Sequence, residues 1–379
     1  MKPATPYVPL PRWVDIGVLP AINLLMAFAA AGLVVMAVGE NPLEAVRLML
    51  AGAFGYEEGL GYTLYYTTNF IFTGLAVAVA FHAGLFNIGG EGQAYIGGLG
   101  VGLAMLAFDR YLPGWLLVPV GIAAAGLFGA AWAFIPAWLQ AWRGSHIVIT
   151  TIMFNFIASA LMVYLLVNVL IAPGQMSPET RPFAEAGLMP KMHEVLAMVG
   201  IHVTPSPLNL SLLVALAASA GVWVFLWRTP WGYELRAAGH NPRAAAYAGI
   251  GTRRLIVTTM CISGMLAGFV AINEIMGVQH RLLLNFTAGT GFAGIAVALM
   301  GRNHPLGIIL ASFLFGVLYQ GGAEMAFEMP RISREMTLAI QGLIILFSGA
   351  LAYMMQGVLE TAWRRLATRF GAPREAGDG

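Results

Sequence analysis

A chain of 379 residues that is 59% hydrophobic and only 10% charged is too apolar for an ordinary soluble domain, where roughly a quarter of residues carry charge. A net charge of +2 without a basic cluster argues against a nucleic acid polymer as partner, and the single cysteine, Cys261, makes neither an intrachain disulfide nor a zinc cluster. What remains is an all-α, polytopic transmembrane helical bundle, with no separate soluble domain over 1–379.

Ten apolar segments follow in chain order, at about 17–39, 63–82, 88–108, 115–141, 147–171, 208–227, 255–276, 288–301, 305–321 and 336–357. The first lies behind Lys2 and Arg12, is longer than a signal-peptide core, and is expected to be retained as a span. After it, residues 40–62 carry Leu43, Val46, Met49 and Leu50 at helical spacing, which predicts a short amphipathic helix on the outer interface. The third and eighth segments are short or interrupted by glycine.

Orientation rests on arginine, because lysine occurs only at Lys2 and Lys191. Arg143, the group Arg228, Arg236, Arg243, Arg253 and Arg254, and the tail group Arg364, Arg365, Arg369 and Arg374 fall on one side if there are ten spans. Positive-inside bias makes that side cytoplasmic and places both termini there, the tail being 358–379. Arg281, Arg331 and Arg334 fall on the other side. By the same parity the longest polar loop, 172–207, with prolines at 173, 178, 182, 190, 205 and 207, is extracytoplasmic.

The loop at 228–254 has a different character. Asn241 can cap a helix, Pro242 suits its first position, and Ala244 to Ala248 favour a short helix that Gly249 ends. Small side chains flanked by arginines suit the close approach of a second protein bearing carboxylates, although an ordinary positive-inside loop would carry the same charge.

Two stretches break the apolar pattern. Residues 83–93 place Asn87, Gly89, Gly90, Glu91, Gly92 and Gln93 between long apolar runs. Broken backbone within lipid survives only where protein or a water-filled cavity satisfies it, and a carboxylate beside it is a functional candidate; a turn at the membrane surface is the bland alternative. Residues 290–301, with Gly291, Gly294 and Gly301, occupy the matching place in the second half. Interrupted segments in corresponding positions of pseudo-repeated halves point to a solute site near the midplane of a transporter.

Enzyme motifs are missing: the seven histidines show no metal spacing, and there is no nucleophile turn and no phosphate-cradling Walker loop. The motifs that are present resemble one family. Residues 79–93, with Asn87, Gly89, Gly90, Glu91 and Gln93, look like the signature of the membrane permeases of nucleoside and simple-sugar ABC importers, in the branched-chain amino acid and ribose permease superfamily. Residues 150–158 around Asn155 are similar to that family's fifth-span motif, 235–245 to its ATPase-coupling segment, and 291–301 to its second-half signature. The pattern runs from about Asn41 to Tyr353. The chain departs from it at Ile147, where many relatives carry Glu, and at Ala293, where they often carry a polar residue.

The resemblance implies a permease without an ATPase site of its own, binding no cofactor, in a bacterial plasma membrane. Its expected partners are a second, shorter permease, a cytoplasmic ABC ATPase that holds ATP and magnesium, and an extracytoplasmic substrate-binding lipoprotein. The segment 41–55 resembles the larger permease of such a pair. ATPase coupling falls on Arg236, Gly239, Asn241, Pro242, Ala244 and Ala245. Candidates for the solute pathway are Asn87, Glu91 and Gln93 with Phe292 opposite: amides for ribose hydroxyls and base edges, and an aromatic face for stacking. Glu91 could equally bond glycine-rich backbone and hold the break open. Asn155 reads as an interhelical tie or a solute contact; Asn69, Asn273 and Glu274 line the way in or face water. A gradient-driven secondary transporter coupled through Glu91 and Glu274, a permease for branched-chain amino acids, and a purely structural subunit are the rival readings.

Overall fold

The computed structural model describes Val14, residues 18–333 and residues 335–346. Lys2 and Arg12, Arg334, the second half of the tenth apolar segment and the tail at 358–379 lie outside the described residues. Every apolar segment is helical where it is described: α1 (Leu19–Ala37), α2 (Pro42–Phe54), α3 (Glu57–His82), α4 (Gly90–Phe108), α5 (Gly114–Arg143) and α6 (Ile147–Asn168). After the loop that carries α7 (Met192–Met198) come α8 (Ser211–Arg228), α9 (Pro230–His240), α10 (Pro242–Tyr247), α11 (Thr252–Gly268), α12 (Thr290–Met300) and α13 (Pro305–Glu328), followed by α14 (Glu335–Leu346). α11 continues through a π-helical stretch, Ile272–Gln279.

Among the described residues six helices are long and apolar enough to cross a membrane, seven if α1 and α2, bent by 116° at the break between them, count as one span. α4 and α12 account for much of the difference from the ten expected segments. Glycines, Glu91 and Gln93 dilute the hydropathy of α4. α12 has 11 residues, about 16 Å of helix and half the thickness of a bilayer core. These are the two interrupted segments.

The chain forms two compact units, residues 49–321 and residues 1–48 with 322–379. In the second of these, Arg331 donates to Gly39 O at 3.2 Å and lies 4.0 Å from Glu40, and Gly322 leaves room for Thr337 and Gln341. In the first, α3 is central: 83% of its most apolar window is buried, against 28–33% for α5, α6 and α8. Its two ends mark opposite ends of the bundle. Glu57 accepts from Thr204 N (2.9 Å) and Gly61 lies under Ser206, whereas His82 and Gly84 meet Gly239 of α9. The 172–207 and 228–254 loops therefore sit at opposite ends of the same helix.

Small residues set the packing around α3. A Cβ on Gly264 would lie 2.4 Å from Gly129 O, one on Gly268 2.3 Å from Ala125 O, and one on Gly97 2.6 Å from Gly268 Cα. α4, α5 and α11 thus touch backbone to backbone, the arrangement by which helices gain van der Waals contact where no hydrophobic effect drives them together.

The 172–207 loop is bound to the bundle by a short strap. Arg181 donates a two-pronged fork to Asp109 at the end of α4 (2.7 and 2.9 Å), and Asp109 also accepts from Ala184 N. The Arg181 fork holds the Asp109 carboxyl below the usual carboxylate range, with the Ala184 amide adding to it. A depressed carboxyl contributes stability that is complete above about pH 4 and disappears as pH falls through its folded value.

Two outcomes follow. Hydrogen exchange at the Ala184 amide, corrected for intrinsic rate, will show constant protection from pH 8 to about 4 and loss below it, and Asp109→Asn will cost on the order of 2 kcal/mol of that protection. Gly264→Leu will lower the unfolding midpoint of the detergent-solubilised protein or abolish monodisperse material, while Cys261→Ser, on the same helix, leaves both unchanged.

Candidate functional site

The two interrupted segments meet inside the bundle. After α3 the chain turns back at Gly84, in the left-handed region at φ +69°, and passes without helix through residues 84–88. α4 then starts at Gly90, alongside Gly291 of α12, whose carbonyl would lie 3.3 Å from a Cβ on Gly90. Ser263 donates both depth and fixity: it is bonded to Ala76 O (2.6 Å) and accepts from Asn87 Nδ2 (2.8 Å). Asn87 therefore lies level with Ala76, about 9 Å along α3 from its C-terminal end. Gly294 packs on Thr73 and Gly74 packs on Val297, so α12 runs beside the same part of α3. The N-termini of α4 and α12 thus come together within the bundle, the arrangement that concentrates unsatisfied N–H groups and positive dipole ends at one point.

The first break is closed by side-chain amides. Asn87 and Gln93, both about 1% exposed, pair through both ends of their amides (2.9 and 3.1 Å), and Asn87 Oδ1 also accepts from Gly89 N. Asn155 of α6 spans the same turn, donating to Ile88 O and accepting from Gly92 N, each at 2.9 Å.

The second break is held by Glu91. Its Oε1 accepts from Thr287 Oγ1 (2.5 Å) and Gly289 N (2.9 Å), and its Oε2 from Gly291 N (2.8 Å). A carboxylate in the first turn of α4 thus also supplies acceptors for the uncapped N-terminus of α12, where both the orphan donors and the dipole favour negative charge. One stripe of α4 reads the rest of the segment. Tyr95 Oη accepts from Asn285 N and its ring stacks on Phe286 at 5.3 Å; Phe286 lies over Gly98, and Leu282 over Gly102. The spacing 91, 95, 98, 102 is one helical face.

A second polar cluster lies where α11 turns π-helical. Glu274, 6% exposed, accepts at Oε1 from Tyr65 Oη (2.5 Å) and Asn69 Nδ2 (2.6 Å). Asn273 donates to Asn69 Oδ1 and Tyr65 O and accepts from Asn209 and Ser211. Asn69, Asn273 and Glu274, singled out separately in the sequence, form one closed network. It is distinct from the set at the breaks.

Exposure sorts the remaining candidates. Phe292 is 48% exposed on the free side of α12, and Glu91 is half-buried. Tyr319 of α13 contacts the rings of Tyr66 and Phe70 (5.7 and 4.9 Å). Thr287, Ser263, Tyr66 and Tyr319 were not picked out from the sequence. A hydroxyl inside an apolar run and a tyrosine among many carry no local signal.

At the far end of α3, the 228–254 loop is two short helices. Thr229 caps α9 through Gly232 N, and Asn241 caps α10 through the amides of Arg243 and Ala244, with Pro242 in the first turn of α10 and Gly249 in the left-handed region after it. α9 packs directly on the first break: a Cβ on Gly239 would lie 2.1 Å from His82 O. Arg236 stands 6.0 Å from the Trp227 ring centre, which also meets His82 and His304. On α10 only Ala245 is buried, and Ala244 and Tyr247 face outward.

Comparison with known proteins follows the same residues. The family described as branched-chain amino acid transport system / permease component matches residues 59–349. The chain is 34% identical to the guanosine ABC transporter permease protein NupP of Bacillus subtilis, over 89% of this chain and 94% of that protein. It is 34% identical to the glucose ABC transporter permease protein TsgB13 of Haloferax volcanii, over 89% and 88%. It is 33% identical to the nucleoside ABC transporter permease protein NupB of Lactococcus lactis subsp. cremoris, over 85% and 88%.

The three acceptor contacts of Glu91 make a specific forecast. Glutamine keeps the shape but presents an NH2 group to one of the donors, so Glu91→Gln will destabilise the solubilised protein by about 1.5–3 kcal/mol, close to Glu91→Ala. A thermal or denaturant midpoint for Glu91→Gln equal to that of the parent would contradict the bridging role.

Proposed function

The chain belongs to the branched-chain amino acid transport system / permease component family, and from that membership we propose that it forms the translocation pathway for nucleosides in an ATP-driven importer. As an ABC-importer permease component related to nucleoside and sugar permeases, it is a multi-pass membrane subunit that transports rather than catalyses. The observation that carries the solute reading is the meeting of the N-termini of α4 and α12 inside the bundle. Half-buried Glu91 at that point and exposed Phe292, one residue past Gly291, offer hydrogen-bonding and stacking surface, and the rings of Tyr66 and Tyr319 meet further along α3.

An uncharged solute fits this chemistry better than an amino acid. A zwitterion calls for paired charges, but Glu91 and Glu274 are both engaged by protein donors. No lysine or arginine lies in a described span away from its ends. In this reading Glu91 keeps the route open while Asn87, Gln93 and Asn155 fix its floor; Phe292 is the group that meets the solute. Asn69 and Glu274 stiffen the route through the second network. The relative whose name specifies glucose is as similar as the one whose name specifies guanosine, so simple sugars are the second reading.

The coupling assignment draws on α10. Its exposed alanine face and Tyr247, with Arg236 and Gly239 behind it on α9, suit a docking ATPase, and the contact of Gly239 with His82 O leads from that surface to the first break. In this reading 228–254 is cytoplasmic, 172–207 is outside facing a binding lipoprotein, and α2 lies at the outer interface. A second, shorter permease completes the pathway, this chain being the larger.

The test is uptake by the complex of both permeases and the ATPase in proteoliposomes, with binding protein added, over guanosine, glucose and leucine. Guanosine is expected to be taken up and leucine not; leucine uptake alone would overturn the reading. Ala244→Glu, on the exposed face of α10, is expected to leave the permease pair folded, to release the ATPase on purification, and to lower uptake by about tenfold or more. Normal ATPase association in that variant would end the coupling claim.

A further inference from the structure

The described arginines keep two kinds of company. Arg47, Arg181, Arg281 and Arg331 each meet a carboxylate. Arg143, Arg228, Arg236 and Arg254 instead stand over the rings of Trp138, Trp223, Trp227 and Trp231, at 5.9, 5.2, 6.0 and 5.8 Å from the ring centres. Among the described residues no carboxylate lies within 4.0 Å of Arg254 or of its neighbour Arg253. An indole attracts a guanidinium through the face of its ring and bonds none of the N–H groups, so Arg254 keeps its planar fork of donors for a further acceptor.

That fork borders a hollow. Two adjoining cavities, of about 280 and 560 Å³, share Ile250, Gly251, Arg254 and Thr258 at the start of α11. Trp231 and Glu234 line the smaller on its α9 side, and Arg253 and Trp142, near the end of α5, line the larger. Both arginines are exposed, and both project from the first turn of a helix that has no side-chain cap and no acidic residue there. Glu234 is the acid of the lining, and it makes no ion pair with Arg254. Two guanidinium groups with free donors suit the paired oxygens of a phosphate.

What lies beside the cavity says which phosphate. Trp142 ends an exposed stripe of α5 formed with Trp138, Ile135 and Phe134, and the two indoles stack at 6.3 Å. The stripe runs from the larger cavity into an apolar span. α5 and α8, which contribute to the cavity walls, bury only a third or less of their most apolar stretches. Tryptophan at the end of a span marks the level of lipid headgroups, and basic pockets between spans at that level hold anionic ones. A soluble phosphate would have no use for the stripe, whereas an acyl chain would lie along it.

We propose that the cavity at the start of α11 is a binding site for an anionic phospholipid, with Arg253 and Arg254 on the headgroup phosphate and the Trp142 stripe along an acyl chain. The site depends neither on the solute nor on which face of the membrane this end occupies, so it stands or falls apart from the importer reading.

The experiment is native mass spectrometry of the delipidated, detergent-purified permease complex titrated with phosphatidylglycerol, and in parallel with phosphatidylethanolamine. Phosphatidylglycerol is expected to bind more tightly, and the double variant Arg253→Ala with Arg254→Ala to weaken it by about tenfold or more. Arg110→Ala, an equal loss of charge on an exposed residue at the opposite end of the bundle, is expected to leave the affinity unchanged. Trp142→Ala, which shortens the stripe and keeps the charge, is expected to weaken phosphatidylglycerol and to leave the monodispersity of the complex as it was. Equal binding of the two lipids, an undiminished affinity in the double arginine variant, or the same loss in Arg110→Ala overturns the proposal. Displacement of the lipid by millimolar inorganic phosphate would assign the site to a soluble anion and overturn it as well. Release of the ATPase from the double variant with lipid binding intact would show that the arginines serve a protein contact, which also ends it.

Discussion

Inside an apolar bundle, a helix can be interrupted only if the peptide groups it frees find partners, since no water is there to take them. Two interruptions side by side double the problem, because each new N-terminus presents donors and a positive dipole end. Glu91 answers for the α12 terminus by being in the first turn of α4, so the two breaks are stabilised by a shared carboxylate. Separating them would leave a charge and three donors without partners in a medium of low dielectric. The breaks are therefore one structure, and the rest of the first unit is arranged to let them meet: α3 runs centrally past both, and glycine and alanine contacts bring α4, α5 and α11 to backbone distance.

The two breaks are held in different ways, and this has mechanical consequences. The first is closed by side chains with their own fixed partners: the paired amides of Asn87 and Gln93, Ser263 tied to Ala76, and Asn155 across the turn. The bonds of Asn87, Gln93 and Ser263 are buried and those of Asn155 part-buried, and apart from Asn87 in the turn the residues lie on four helices, α3, α4, α6 and α11. The second has left-handed residues, one external carboxylate and a strap. Elements that open first are those with few buried contacts of their own. By that criterion the second break is the yielding half, and the first, with α9 packed against its start, is the fixed end on which it works.

Much of this was legible in the sequence. Glycines and amides at 83–93, and glycines at 288–301, mark the two interruptions because such residues have no reason to crowd inside apolar runs. Asn241, Pro242 and Gly249 delimit α10 because capping is local chemistry. Pairing was not legible. Asn69 and Glu274 each stand out as polar residues in spans, but 205 residues separate them and nothing in either neighbourhood names the other. Thr287 and Ser263 look like ordinary hydroxyls. The strap was hidden for a different reason: Glu179, Thr180 and Arg281 sit in segments that read as polar loop, and their value comes from an ion pair and a side-chain hydrogen bond across 102 residues. A trace of the helix contacts was present in the spacing of Gly264 and Gly268, a pattern associated with close helix packing in membranes.

The position of Glu91 on α4 explains why one helix can serve both ends of the molecule. Its face at 91, 95, 98 and 102 lies along the whole second break, while Asp109, past its last turn, holds the strap that grips the same break from the opposite side. The fork is two charge-assisted bonds to a side chain that is 1% exposed, and residues 280–283 are bonded to the same strap by three neutral hydrogen bonds and the Glu179–Arg281 pair. The end of α4 and the start of the second break are therefore tied to one short segment, so neither shifts along the other without breaking bonds to the strap, and the carboxylate that bonds the Gly289 and Gly291 amides is held in register with them.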